Sequence, residues 1–150
     1  AVILADAERT KTPAMVSAFG RAVDRLGGNY VTAEDVGMSV ADMTAIAAET
    51  RFVAGLPVAG GAVGGDPGPH TALGVFLGIK AAVRRALGKD SLAGLHIAMQ
   101  GAGSVAGGVA RRAAAEDARL TIADVAADRA QALAAETGAT IVDPSEIMTV

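Results

Sequence analysis

The sequence contains no cysteine, and aromatic residues make up only 3% of its 150 positions. The first absence excludes disulfides and thiolate metal sites, and suits a reducing, cytoplasmic setting. The second means that a core must be packed from Ala, Val, Leu and Ile, since hydrophobic residues still reach 51%. Basic charge is also short: the formal net charge is −3, which argues against the basic stripe of a nucleic-acid surface. Long unbroken apolar runs are missing as well. Between Arg51 and Lys80 the one charged residue is Asp66, but Pro57, Pro67, Pro69 and eight glycines interrupt the stretch. A membrane-spanning helix needs about 20 mostly apolar residues without such breaks. The opening residues AVILADAERT reach a charge at Asp6, too early for a signal peptide. The two histidines are isolated from any third ligand, so no metal site is expected.

What is present reads as α/β. AVIL (1–4) has the look of the end of a buried strand. Apolar residues at Met15, Ala18, Phe19, Ala22, Val23 and Leu26 recur at helical spacing, and Gly27-Gly28 stops that helix. NYVTA (29–33) reads as a strand, and Ser39 with Asp42 as a capping box opening a second helix. Residues 52–69 hold too many turn formers for regular structure and read as a crossover. A helix from Pro69 to Leu87 carries Ala72, Val75, Phe76, Ile79, Val83 and Leu87 on one stripe.

After Gly88 the rhythm changes to strand–helix–strand–helix–strand, with strands at 95–100, 119–124 and 139–143, which predicts a parallel sheet. Between the first strand and its helix stands Gly101-Ala102-Gly103-Ser104-Val105-Ala106-Gly107, a G-x-G-x-x-G/A pattern. The first glycine permits a tight turn, the second lets backbone amides approach a pyrophosphate, and the small third residue lets helix pack on strand. Asp124 follows about twenty residues on, where a carboxylate takes the adenosine ribose hydroxyls and repels a 2′-phosphate, favouring NAD over NADP. The alternative is a structural turn whose strand-end Asp124 caps the next helix.

Glu34-Asp35 raises a second question, because adjacent acids after a strand are common turn chemistry. Local sequence leaves it open whether either carboxylate does work. GNYVTAEDVGMSVADMTAIAAET (28–50), GDPGPHTALGV (65–75), GIKAAV (78–83) and SLAGLHIAMQGAGSVA (91–106), in that order, resemble the amino-acid dehydrogenases acting on glutamate, leucine, phenylalanine and valine, leucine dehydrogenase in particular. The resemblance implies NAD-dependent oxidative deamination of an L-amino acid to a 2-oxo acid and ammonia. It implies that Asp35 carries protons to and from the amino nitrogen, that Thr71 stands beside the nicotinamide, and that Ala33 lines the substrate side-chain pocket. It also implies a homo-oligomer. TAEDVG leans toward leucine or valine rather than glutamate, with phenylalanine as an alternative substrate.

On that resemblance, residues 1–68 are the C-terminal part of a substrate lobe, 69–89 a connecting helix, and 90–150 the first half of a Rossmann domain. Both ends read as cut. The family's catalytic lysine falls just before Ala1, and Lys11, Lys80 and Lys89 do not match it, so the fragment alone is expected to be inactive. The rival from another class is a non-catalytic NAD-binding module.

Overall fold

The computed structural model describes residues 1–4, 11–57 and 64–150. The chain divides into two compact units, Ala1–Pro67 and Gly68–Val150. Part of the expected crossover, 58–63, lies outside the described residues.

The first unit is built on two helices. Helix α1, Pro13–Asp24, starts with proline in its first turn and Thr12 as its cap, the hydroxyl accepting the Met15 amide at 3.2 Å. Helix α2, Val40–Ala47, has the expected box: Ser39 accepts the Asp42 amide, and the Asp42 carboxylate accepts the Ser39 amide. Val16 from α1 packs with Met43 and Ile46 from α2. Gly20 makes the close approach possible, since a Cβ there would sit 2.8 Å from the Glu49 Cβ. The buried face therefore runs through Val16, Gly20 and Val23, while Ala18 and Leu26, expected inward, are exposed.

Two expected strands of this unit are not strands. Val2 and Leu4 are 86% and 90% exposed, with no ladder partner among the described residues to take their backbone groups. NYVTA contributes one isolated parallel bridge, Thr32 with Val53. Thr32 donates to the Phe52 carbonyl at 3.0 Å and accepts from the Ala54 amide at 2.8 Å. The partner segment then meets Gly55 and Pro57, which do not extend a ladder.

The second unit has mixed helices and a parallel sheet. Helix α3, Gly68–Leu87, packs on α4, Ser104–Ala114. Strands β1 (His96–Gln100), β2 (Arg119–Ala123) and β3 (Thr140–Ile141) lie in the order β1-β2-β3, all parallel, with α4 and α5 (Ala127–Thr137) as crossovers. β1 and β2 pair from His96↔Arg119 to Gln100↔Ala123. This is the strand–helix–strand–helix–strand parallel arrangement that the sequence predicts. Ala72, Leu92, Met99, Val109, Ile122 and Leu133 form its core. β3 is shorter than the expected 139–143, although the Val142 amide still reaches the Ile122 carbonyl at 3.1 Å. After β3 the chain ends in a 3₁₀ turn over Ile147–Thr149.

The helix expected to join two regions thus belongs by its packing to the second. Its inward stripe is buried Ala72 with half-buried Phe76, Ile79 and Val83; Val75 and Leu87 are 44% and 57% exposed. Its tightest contact falls at Ala72, because a Cβ on Gly108 of α4 would lie 2.6 Å from the Ala72 Cβ. Lys80 fastens α3 further, donating to Glu116 at 2.6 Å, whose other oxygen accepts the Leu92 amide at 3.1 Å. No helix among the described residues is long and apolar enough to cross a membrane.

Candidate functional site

At the C-terminal end of β1 the chain turns through Gly101 at φ +100°, a conformation that only glycine adopts without strain. The Gly101 amide donates to the Ala123 carbonyl at 2.7 Å, which holds the turn against the end of β2. Gly103 then caps α4 with extended backbone and no side chain to satisfy the first-turn amides. The first intrahelical bond of α4 runs from Gly107 to the Gly103 carbonyl at 2.8 Å. A helix start of this kind presents N–H groups and the positive end of the helix dipole to an anion.

Gly103 is the informative residue. Its φ of −75° is open to any amino acid, and a Cβ there would meet nothing within 4 Å. Neither backbone strain nor a protein neighbour demands glycine at this point. What its missing side chain leaves is open space above the amides, as a pyrophosphate cradle requires. Val105, Ala106 and Gly107 turn toward the protein: Val105 and Ala106 pack on the core, and a Cβ on Gly107 would lie 3.8 Å from Leu133 of α5. Ser104 opens the helix.

Asp124 stands at the end of β2 and is bonded on both oxygens. Oδ2 accepts the Ala102 amide and Oδ1 the Ala126 amide, each at 2.7 Å. The Ala102 amide first, then that of Ala126, holds the carboxyl below the usual carboxylate range; desolvation opposes this, and Arg129 at 3.7 Å assists it. The carboxylate therefore ties the glycine turn to the segment that leads into α5, accepting the amide of Ala126 just before the helix, while α5 itself has no side-chain cap. Asp124 keeps acceptor capacity, since each oxygen has two lone pairs. Beside it, at the C-terminal ends of β2 and β3, opens a cavity of about 420 Å³ lined by Asp124, Gln131, Val142, Asp143 and Pro144. That is the end of a parallel sheet where ligands bind. An equally large cavity lies at the opposite strand ends, where His96 Nε2 meets Thr121 Oγ1 at 2.8 Å.

Asp35 belongs to the first unit and is exposed. Its carbonyl accepts the Met38 amide at 2.9 Å, and Gly37 inside that turn has φ +81°, the third position of a type II turn. Its Oδ1 accepts the neighbouring Val36 amide at 2.8 Å. Ala33 is exposed on the same loop. Thr71 lies in the first turn of α3, in the second unit, and is exposed, as is His70. Among the described residues no group of His, Asp or Glu gathers as a metal site.

Glu34, beside Asp35, is half-buried. Its Oε2 is buried and has no hydrogen-bond partner among the described residues. A second residue that the motifs passed over is Lys11, whose ammonium donates to the Gly37 carbonyl at 2.9 Å and to Asp42. Only three-dimensional proximity could reveal either.

Known proteins resemble this chain in sequence and in structure. No family model matches the chain. It is 44% identical to leucine dehydrogenase of Bacillus cereus over 146 residues, 97% of this chain and 40% of that protein. It is 40% identical to L-tryptophan dehydrogenase of Nostoc punctiforme over 98% of this chain, and 42% identical to valine dehydrogenase of Streptomyces virginiae over 83%. The crystal structure of L-tryptophan dehydrogenase from Nostoc punctiforme superposes with a TM-score of 0.59 at 35% identity, covering 94% of this chain and 38% of that one. A hetero-hexameric glutamate dehydrogenase from Thermus thermophilus in a Leu-bound form shares the fold, with a TM-score of 0.62 at 21% identity over 86% of this chain and 36% of that one. The chain spans about 40% of the length of the curated relatives that it matches. It is homologous to the amino-acid dehydrogenases.

Proposed function

We propose that this chain is part of an NAD-dependent dehydrogenase that deaminates a branched-chain L-amino acid, of the leucine or valine type, to a 2-oxo acid and ammonia. The observation that carries the reading is the turn at Gly103, where neither strain nor a neighbour demands glycine, closed from below by Asp124. The 44% identity to a leucine dehydrogenase and the 42% identity to a valine dehydrogenase support the substrate class.

In this reading the α4 amides and the dipole of α4 bind the pyrophosphate, with Gly101 and Gly103 giving it room. Asp124 accepts from the adenosine ribose hydroxyls through the lone pairs left by Ala102 and Ala126, and its charge disfavours a 2′-phosphate. Thr71 contributes at the nicotinamide, which when bound takes the hydride from the substrate Cα. Asp35, exposed beyond its turn, takes the proton from the amino nitrogen and returns it in the reverse direction. Ala33 leaves room for the substrate side chain. An oligomer is part of the reading, supported by the hexameric state named for the glutamate dehydrogenase of like fold. So is a cytoplasmic setting, which suits a sequence without cysteine.

The test is NADH production by the complete reading frame on leucine, valine, phenylalanine and glutamate. Turnover on leucine or valine above the other two is the expected outcome. Silence on all four with NAD still bound would replace the enzyme with a cofactor-binding module.

A further inference from the structure

Lys11 lies outside every motif discussed above, yet it reaches across 26 positions to Gly37 and across 31 to Asp42. Its side chain is 35% exposed and that of Asp42 is 16% exposed. An exposed lysine–carboxylate pair usually contributes little, partly because two long side chains must be held still. Here the carboxylate is already held. Asp42 Oδ2 accepts the Ser39 amide at 2.8 Å and the Ser39 hydroxyl at 2.6 Å, so Lys11 meets a fixed partner. Its bond to the Gly37 carbonyl then joins the turn to that fixed point.

The consequence concerns Asp35. Upstream, the loop is stitched at Thr32 to the segment around Val53. Downstream, the Asp35 carbonyl closes the turn onto Met38, and Lys11 grips that turn at Gly37. Asp35 is exposed between these anchors, and its carboxylate is bonded locally to Val36. Its position is therefore set by the two ends of the loop rather than by packing of its own side chain.

We propose that Lys11 is a positioning residue for Asp35, locking the Asp35–Met38 turn to the start of α2 and so fixing where the Asp35 carboxylate stands. This deepens the reading given above and rests on Asp35 as the proton carrier. Misplacing a catalytic group by about 1 Å can cost on the order of 100-fold in rate, so a tether of this kind acts on turnover more than on binding.

The experiment compares Lys11→Met, Lys11→Arg and Asp35→Asn in the complete reading frame. It measures kcat, KM for leucine and for NAD, and hydrogen exchange of residues 35–39. Lys11→Met is expected to lower kcat by about 10- to 100-fold with KM for NAD changed by less than about twofold. Exchange at Gly37 and Met38 rises in the same variant. Lys11→Arg, which keeps charge and donors, restores most of both. Lys11→Met that exchanges faster but keeps its kcat overturns the proposal. So does a loss of kcat, NAD binding and thermal stability together that Lys11→Arg fails to restore. An Asp35→Asn variant as active as the parent removes Asp35, and Lys11's role with it. A parent that turns over no amino acid overturns the dehydrogenase reading, and exchange then decides separately whether Lys11 holds the turn.

Discussion

The Asp124 carboxylate accepts the Ala102 amide at 2.7 Å. One side chain thus closes the glycine turn while standing where a ribose would be read. If the reading proposed above holds, scaffold and recognition share the same pair of oxygens, and substitutions there will report on both.

Asp124→Ala should weaken NAD binding by roughly tenfold or more, through loss of charge-assisted hydrogen bonds, and narrow the preference over NADP. It should also lower the thermal midpoint, because the Ala102 and Ala126 amides lose their acceptor. Asp124→Asn keeps one carbonyl acceptor and should be milder in both. Titration calorimetry with NAD and NADP beside a melting curve checks this. An unchanged NAD/NADP ratio moves the ribose site elsewhere.

Acid should destabilise the fold earlier than neutral pH would suggest. The Lys11 hydrogen bond, then Ser39, holds Asp42 below the usual range; Lys80, then the Leu92 amide, does the same for Glu116. A carboxyl depressed in the folded state stabilises fully above its unfolded pKa, about 4, and that stabilisation is lost as pH falls through the lower folded value. Urea midpoints should therefore fall steeply below about pH 4, and the Asp42→Asn variant should show a shallower decline. Equal slopes for variant and parent would count against the Asp42 cluster.

Gly108→Ala should overpack the α3–α4 contact, with its new Cβ 2.6 Å from that of Ala72 unless a helix shifts. Overpacking of this kind costs about 1–3 kcal/mol. Ala72→Gly in the same chain should recover part of the loss, which a double-mutant cycle in denaturant would show as coupling. Additive losses would mean that the two helices relax independently.

Asp35→Asn should lower kcat by about 100-fold or more while leaving NAD affinity near the parent value, as expected for loss of a proton carrier. Fluorescence titration of NADH with steady-state rates on leucine separates the two. Comparable activity would take Asp35 out of the mechanism.

Much of the second unit was legible because its signals are local. Gly101, Gly103 and Asp124 mark strand ends by residue type and spacing, and Gly138, at φ +70°, ends α5 as its sequence announces. The Ser39–Asp42 box is equally self-contained. The failures have long-range causes. AVIL has strand composition, but a strand is made by its partner, and the described chain supplies none. NYVTA meets a partner at a single residue. On α3, Val75 and Leu87 belong to the right period, yet the position of Ala72 against Gly108 rotates the buried stripe away from them. The burial of Glu34 Oε2 and the reach of Lys11 depend on neighbours far along the chain, which no periodicity encodes.

The single Thr32–Val53 bridge carries one last implication. Among the described residues, the loop that bears Asp35 is paired with the segment around Val53 through one backbone bridge, whereas Val16, Met43 and Ile46 hold the helices beside it. Such a loop can open at a lower free energy than the helices need to unfold. Substitutions at buried Thr32 would then adjust how often Asp35 is in place. Selection could tune the pace of the reaction through this stitch, leaving both the carboxylate and the helical core unaltered.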